Sequence, residues 1–219
     1  MSNSALREFL QLLYPPICIG CRVSGWEFCT PCAREMKSPI IRSSISGIPF
    51  LAKAHYSKVT AQLILSAKED NNRNARVILS EAISEILQTL PGDSFTIIPI
   101  PSRTPNNRRR GYEHMLQLLR QVQKSCEQEI YICNGLEIVG RIADQSTLGS
   151  RERELNMHGS YRIRPKEISG IERGSQVVLI DDLVTSGSTM REGIQTLKLA
   201  RIGPKAVISA CVASGHRGE

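Results

Sequence analysis

Residues 177–189, VVLIDDLVTSGST, hold the densest run of chemistry-bearing side chains in the chain. Four apolar residues, Val177 to Ile180, lead into two carboxylates, Asp181 and Asp182. Small and mostly hydroxylic residues follow: Thr185, Ser186, Gly187, Ser188 and Thr189. The apolar run has the composition of a short strand buried on both faces. Beyond the loop, Met190, Ile194 and Leu197 recur at helical spacing. Thr189 and Glu192 have capping-box spacing, which predicts a helix beginning at Ser188 or Thr189 and stopping at Gly203-Pro204.

The order is strand, acidic pair, small polar loop, helix N-terminus. Backbone N–H groups at such a terminus attract a phosphate, and Gly187 lets the backbone approach it. Two carboxylates just upstream repel a bare phosphate. They suit a ligand with a phosphate at one end and hydroxyls, or a metal, a few ångströms away. A ribose 5-phosphate has that layout. The plainer alternative is a buried strand ending in a capped helix, with two solvated acids.

A second constellation is Cys18, Cys21, Cys29 and Cys32, two C-x-x-C pairs close together. Each pair can grip one metal from a tight turn, and four thiolates make a closed tetrahedral zinc site with no open position. That predicts a structural Zn²⁺. Cys126, Cys133 and Cys211 have no partner pattern and are expected to be ordinary thiols.

The third group is basic. Ser102 and Arg103 follow an apolar run, and Arg108, Arg109 and Arg110 come shortly after, before Gly111-Tyr112. Alone, three arginines make a solvated patch. If the strand before them lies beside the one before Asp181, they reach an anion at the same sheet end. Of the four histidines, only His114 adjoins a motif, and it is expected to be structural or solvated.

The elements that must position these groups follow from periodicity. Leu6, Phe9, Leu10 and Leu13 predict an N-terminal helix ended by Pro15-Pro16. Residues 37–49 mix Ser, Pro, Gly and Ile without period and are expected to be a link. Val59, Leu63 and Ile64 predict a short helix ending near Lys68; Leu79, Ala82, Ile83, Ile86, Leu87 and Leu90 mark one face of a longer one. FTIIPI, residues 95–100, is a predicted strand, followed by a helix carrying Met115, Leu118, Leu119 and Val122. Residues 129–139 favour strand or irregular structure, and KAVISACVA, residues 205–213, is the last predicted strand. Strands alternating with helices indicate an α/β fold with a parallel sheet. The expected organisation is an N-terminal helix and zinc element over residues 1–48 and an α/β domain over 49–219.

With 219 residues there is room for one such domain and a small appendage. No apolar run approaches the roughly 20 residues that span a bilayer. The N-terminus lacks a signal pattern, so a cytoplasmic protein without membrane insertion is expected. Net charge +7 points to an anionic partner, a phosphorylated small molecule or a nucleic acid. Aromatic content of only 5% disfavours base stacking as the main contact of a nucleic-acid binder.

Residues 177–189 resemble the phosphoribosyl pyrophosphate motif of type I phosphoribosyltransferases. The wider pattern resembles the ComF family, bacterial phosphoribosyltransferase-like proteins tied to DNA uptake. Its marks here are LLYPPICIGC with the second CxxC, IPIPSR followed by RRRGY, and Gln145, Leu148, Arg153, Asn156 with Gly159-Ser160-Tyr161. Glu113-His114 departs from the family's usual Asn then Gln or His, and Glu69 replaces an aromatic after Lys68.

The resemblance implies that Asp181 and Asp182 bind ribose hydroxyls and that Thr185, Ser186, Gly187, Ser188 and Thr189 wrap the 5-phosphate. Ser102, Arg103, Arg108, Arg109 and Arg110 would face the pyrophosphate, with Mg²⁺ as cofactor. Two functions follow from it. One is a Mg²⁺-dependent phosphoribosyltransferase of nucleotide metabolism. The other is a non-catalytic single-stranded-DNA-binding protein of competence or repair, working with competence or repair proteins.

Overall fold

The computed structural model describes residues 14–101, 108–139 and 159–213, with backbone alone for 108–113. The expected N-terminal helix, Ser102, Arg103 and the segment from Gln145 to Asn156 lie outside these residues.

The centre is a six-stranded sheet in the order β1-β2-β8-β7-β3-β4. Its strands are β1 (Ile41–Ile45), β2 (Ile48–His55), β3 (Ser94–Pro99), β4 (Glu129–Ile132), β7 (Gln176–Val184) and β8 (Ala206–Val212). All neighbours run parallel except the β1–β2 pair. β5 (Leu136–Ile138) and β6 (Tyr161–Ile163) form a separate antiparallel pair.

Helices cover both faces, as a mostly parallel sheet requires. On one side lie α2 (Lys58–Lys68), α3 (Arg73–Leu87) and α4 (Arg108–Ser125). Their buried stripes, including Leu63, Leu79, Ile83, Leu118 and Val122, meet Leu51, Phe95, Ile97, Val178 and Ile180 of the sheet. On the other side, Met190, Ile194 and Leu197 of α6 (Ser188–Leu199) join Leu136 and Tyr161 of the small sheet. These meet Phe50, Ile98, Val177 and Leu179. Val177 to Ile180 thus alternate between two buried layers, which is why the run is apolar throughout. The short helices α1 (Thr30–Met36) and α5 (Pro165–Ile168) complete the set.

Two expectations fail. Residues 37–49 are not a link: they form most of the β1–β2 hairpin, turned by Ser46 at φ 51° and Gly47 at φ 74°. Two successive positive φ values make the tight hairpin turn whose twist suits the strands. The predicted strand 177–180 also stops too early. β7 runs on through both acids to Val184, because β8 keeps pairing with it.

Candidate functional site

β7 is held differently along its two edges. β8 pairs with it as far as Val184, opposite Val212. β3 stops at Pro99, opposite Ile180, and one more bond runs from the Ile100 N–H to the Ile180 carbonyl at 2.8 Å. Pro101, next in the chain, has no amide hydrogen to extend the ladder. Among the described residues, no strand pairs with this edge of β7 from Asp181 onward. A crevice at the carboxyl ends of parallel strands, where neighbours part, is where open α/β sheets take ligands.

Both acids sit in this crevice, half-buried. The regular alternation lapses here: Ile180 and Leu183 both join the layer under α2–α4. Asp181 Oδ1 accepts the backbone N–H of Asp182 at 2.9 Å. Loss of hydration holds the Asp181 carboxyl well above the ordinary 3.8, and the Asp182 charge adds to this. The Asp182 amide and the Lys68 ammonium oppose it.

Asp182 Oδ2 lies 3.7 Å from Nε2 of His114 on α4. The imidazole is almost fully buried, with the Asp182 carboxylate and the Ala67 backbone as the groups that favour its charged form and neither contact of good hydrogen-bond geometry. Burial holds its basicity below the ordinary 6.5; Asp182 works against this, while Lys68 and Arg76 reinforce it. Burial excludes the solvated alternative expected for His114 and leaves the structural one; its placement beside the acidic pair is what sequence reasoning missed. The available signal is its spacing, four residues before Leu118 on the buried stripe of α4. Lys68, the last residue of α2, is the other group that sequence reasoning leaves without a role here.

Past the acids the chain turns at Gly187, the N-cap of α6, with φ 75°. That conformation costs any other residue about 1–2 kcal/mol. The expected capping box between Thr189 and Glu192 does not form: Gly187 caps without a side chain, which puts Glu192 a full turn inside the helix, where it is buried. No acid stands in the first turn of α6 to occupy its positive end. Ser186 and Ser188 hydroxyls lie 3.0 Å apart, and Arg191 Nη2 donates to the Ser186 carbonyl at 3.1 Å. The result is a braced turn. Thr185 is exposed, Ser186 and Thr189 half-buried, Gly187 and Ser188 buried. All seven expected residues from Asp181 to Thr189 therefore border one turn. Of the arginines, the backbone of Arg108, Arg109 and Arg110 opens α4.

A second cluster comes from the N-terminal segment. The four Sγ atoms of Cys18, Cys21, Cys29 and Cys32 are within 4.8 Å of one another. Sulfur pairs lie 3.6 Å apart for Cys18–Cys29 and Cys21–Cys29 and 3.8 Å apart for Cys18–Cys32. Zn–S bonds of ~2.3 Å at tetrahedral angles put sulfurs ~3.8 Å apart, so the donor set fits zinc. The two turns are tied by backbone bonds Cys18 N–H to Val23 O and Ile19 N–H to Glu27 O. Burial acts to raise the Cys18 thiol, but backbone amides of Cys21, Cys29 and Gly20 outweigh it and bring it to about 6. Burial and its thiol neighbours push Cys32 up. A cation shared by four thiolates removes that conflict. Gly20 admits no side chain: a Cβ would meet Cys32 Sγ and Val59 Cγ1 at 2.9 Å each.

Residues 70–219 match the family described as Phosphoribosyl transferase domain. Orotate phosphoribosyltransferase 2 of Mesorhizobium japonicum is 36% identical over 61 residues, 28% of this chain and 29% of that enzyme. Orotate phosphoribosyltransferase of Bartonella henselae is 30% identical over 108 residues, 47% of this chain and 53% of the enzyme. The chain thus spans about half or less of the curated relatives it matches. Among solved structures, adenine phosphoribosyl transferase from Trypanosoma brucei, in complex with AMP, pyrophosphate and ribose-5-phosphate, aligns with TM-score 0.43 and 10% identity. The alignment covers 86% of this chain and 82% of that one.

Proposed function

The chain belongs to the phosphoribosyl transferase domain family, and on that premise we propose that it binds phosphoribosyl pyrophosphate at the β7–α6 turn and transfers the phosphoribosyl group. The observation that carries this reading is the juxtaposition of Asp181 and Asp182 with an acid-free helix N-terminus at an open strand edge.

The turn of Thr185 to Thr189 receives the 5-phosphate through backbone N–H groups and hydroxyls. Asp181 and Asp182 accept hydrogen bonds from the ribose hydroxyls, and their charge favours the ring as it becomes positive. The bond from the anomeric carbon to pyrophosphate breaks, its electron pair leaves with the pyrophosphate, and the nucleophile's lone pair forms the new bond. Ser102, Arg103 and the arginines opening α4 are the proposed partners of the departing charge. Mg²⁺, bound with the substrate, supplies further neutralisation of that charge. The four cysteines hold a structural Zn²⁺, and their combination with the turn favours placement in the ComF group.

Calorimetric titration with phosphoribosyl pyrophosphate and Mg²⁺ tests the reading. The native chain is expected to bind, and Asp181→Asn/Asp182→Asn to lose at least tenfold in affinity. Equal binding by both proteins rejects the site. Pyrophosphate release separates an enzyme from the non-catalytic single-stranded-DNA binder, which would release none while still binding DNA.

A further inference from the structure

α3 and α4 run side by side in the same direction. Ser84 and Ser125 hydroxyls meet at 3.3 Å near their C-terminal ends, and Arg76 and Gln117 share a groove farther up. The groove has a volume of about 470 Å³ and is lined by Asn71, Arg73, Arg76, Gln117, Arg120, Gln121 and Lys124.

That lining has an unusual balance. Four residues are cationic, three carry amides, and none is acidic, aromatic or aliphatic. Glu69 and Asp70 precede Asn71 in the chain but do not line it. Among the described residues, none of the four cations forms an ion pair; the ion pairs involve Lys53, His114, Arg162 and Arg164 instead. Arg76 Nη1 donates to Asn71 Oδ1 at 2.7 Å, which fixes its guanidinium in the groove. Partial burial and then the neighbouring Arg73 charge both work against the Arg76 charge. The fold therefore holds like charges together without compensation.

We propose that the α3–α4 groove is a second anion site that takes a chain of two or more consecutive phosphates. The spacing of Gln117, Arg120, Gln121 and Lys124 puts them on one face of α4. From Gln117 to Lys124 they span roughly 10 Å, longer than one phosphate needs. Guanidinium and amide donors fit phosphate oxygens. With no aromatic ring in the lining, no base is stacked there, and the cationic side chains make phosphate the favoured group. No residue from 177 to 189 lines the groove, so its anion contacts are distinct from those of the crevice and do not depend on the function proposed there, although the Arg76 charge is felt by His114 beside Asp182. Its chemistry is shared by inorganic oligophosphate and by a nucleic-acid backbone.

The two sources separate in one experiment. Anisotropy of a labelled oligothymidylate, and calorimetry with inorganic triphosphate, are measured on the native chain and on Arg120→Ala/Lys124→Ala. Both substituted positions are exposed. A control, Lys166→Ala/Arg173→Ala, removes the same charge at exposed positions elsewhere. At about 100 mM salt the groove variant is expected to lose about tenfold in affinity, and the control less than twofold. Loss confined to triphosphate identifies a free oligophosphate; loss confined to the oligonucleotide identifies a strand backbone. Equal loss in both variants, an unaffected groove variant, or no binding of either probe overturns the proposal. Asp181→Asn/Asp182→Asn is expected to leave groove binding intact, so failure in the crevice and failure in the groove are told apart.

Discussion

Asp181 costs the fold stability wherever the unfolded chain would ionise it. Its carboxyl is held well above 3.8 by lost hydration and by Asp182, so the folded chain retains a proton that the unfolded chain releases. The contribution of this group to stability therefore falls as pH rises through 3.8 and continues to fall up to the raised folded value. Asp181→Asn removes that penalty. The variant is expected to melt on the order of 2–4 °C higher than the native chain at neutral pH. Below pH 3.8 the gain should vanish. A melting point at neutral pH no higher than the native one contradicts this account of the carboxyl. Such a trade fits a group placed for hydroxyl ligands, which lower a carboxyl toward its ordinary range when they bind.

At the scale of elements, α4 meets β7 through His114 and Asp182. His114 is held only by long contacts with Asp182 and the Ala67 backbone, and leaving a buried polar group poorly satisfied costs about 1–3 kcal/mol. His114→Leu should therefore leave folding unharmed or raise the melting temperature, yet weaken phosphoribosyl pyrophosphate binding about fivefold by releasing Asp182. His114→Gln, which can still donate, should bind nearly as the native chain does. Calorimetry of the two variants separates a positioning role from a packing role; equal affinity in both leaves His114 as packing. Periodicity made most elements legible. Leu79, Ile83 and Ile86 announced α3, and Val177 to Ile180 announced a strand with both faces covered. Where β7 ended was not legible, because pairing with β8 carries polar Asp181 and Asp182 in the strand. Nor was the β1–β2 hairpin, whose turn rests on a non-glycine, Ser46, at positive φ. The contact of His114 with Asp182 joins residues 68 apart in sequence and depends on which helix covers which strand.

Across the whole molecule, the cysteine element is joined to the main core rather than hung beside it. Ile19 and Met36 belong to the same buried cluster as Phe95 and Ile180. Stripping metal with a chelator is expected to expose amides over residues 17–36 to hydrogen exchange while protection in β3, β7 and β8 persists. Elemental analysis should give one zinc per chain, and unchanged exchange after chelation would remove the metal from the account of this element. The strand order has a consequence of another kind. β8 is placed between β2 and β7, and Phe50 pairs with Val207 across most of the chain. During synthesis the β1–β2 hairpin and the β3–β7 pair must wait, each with an unsatisfied edge, until residue 212 clears the ribosome. Contacts so distant in sequence form slowly. The nascent chain thus carries the β2 edge open from residue 55 and the β7 edge from residue 184 until β8 is made, and a message cut short between β7 and β8 yields two half-sheets open to aggregation.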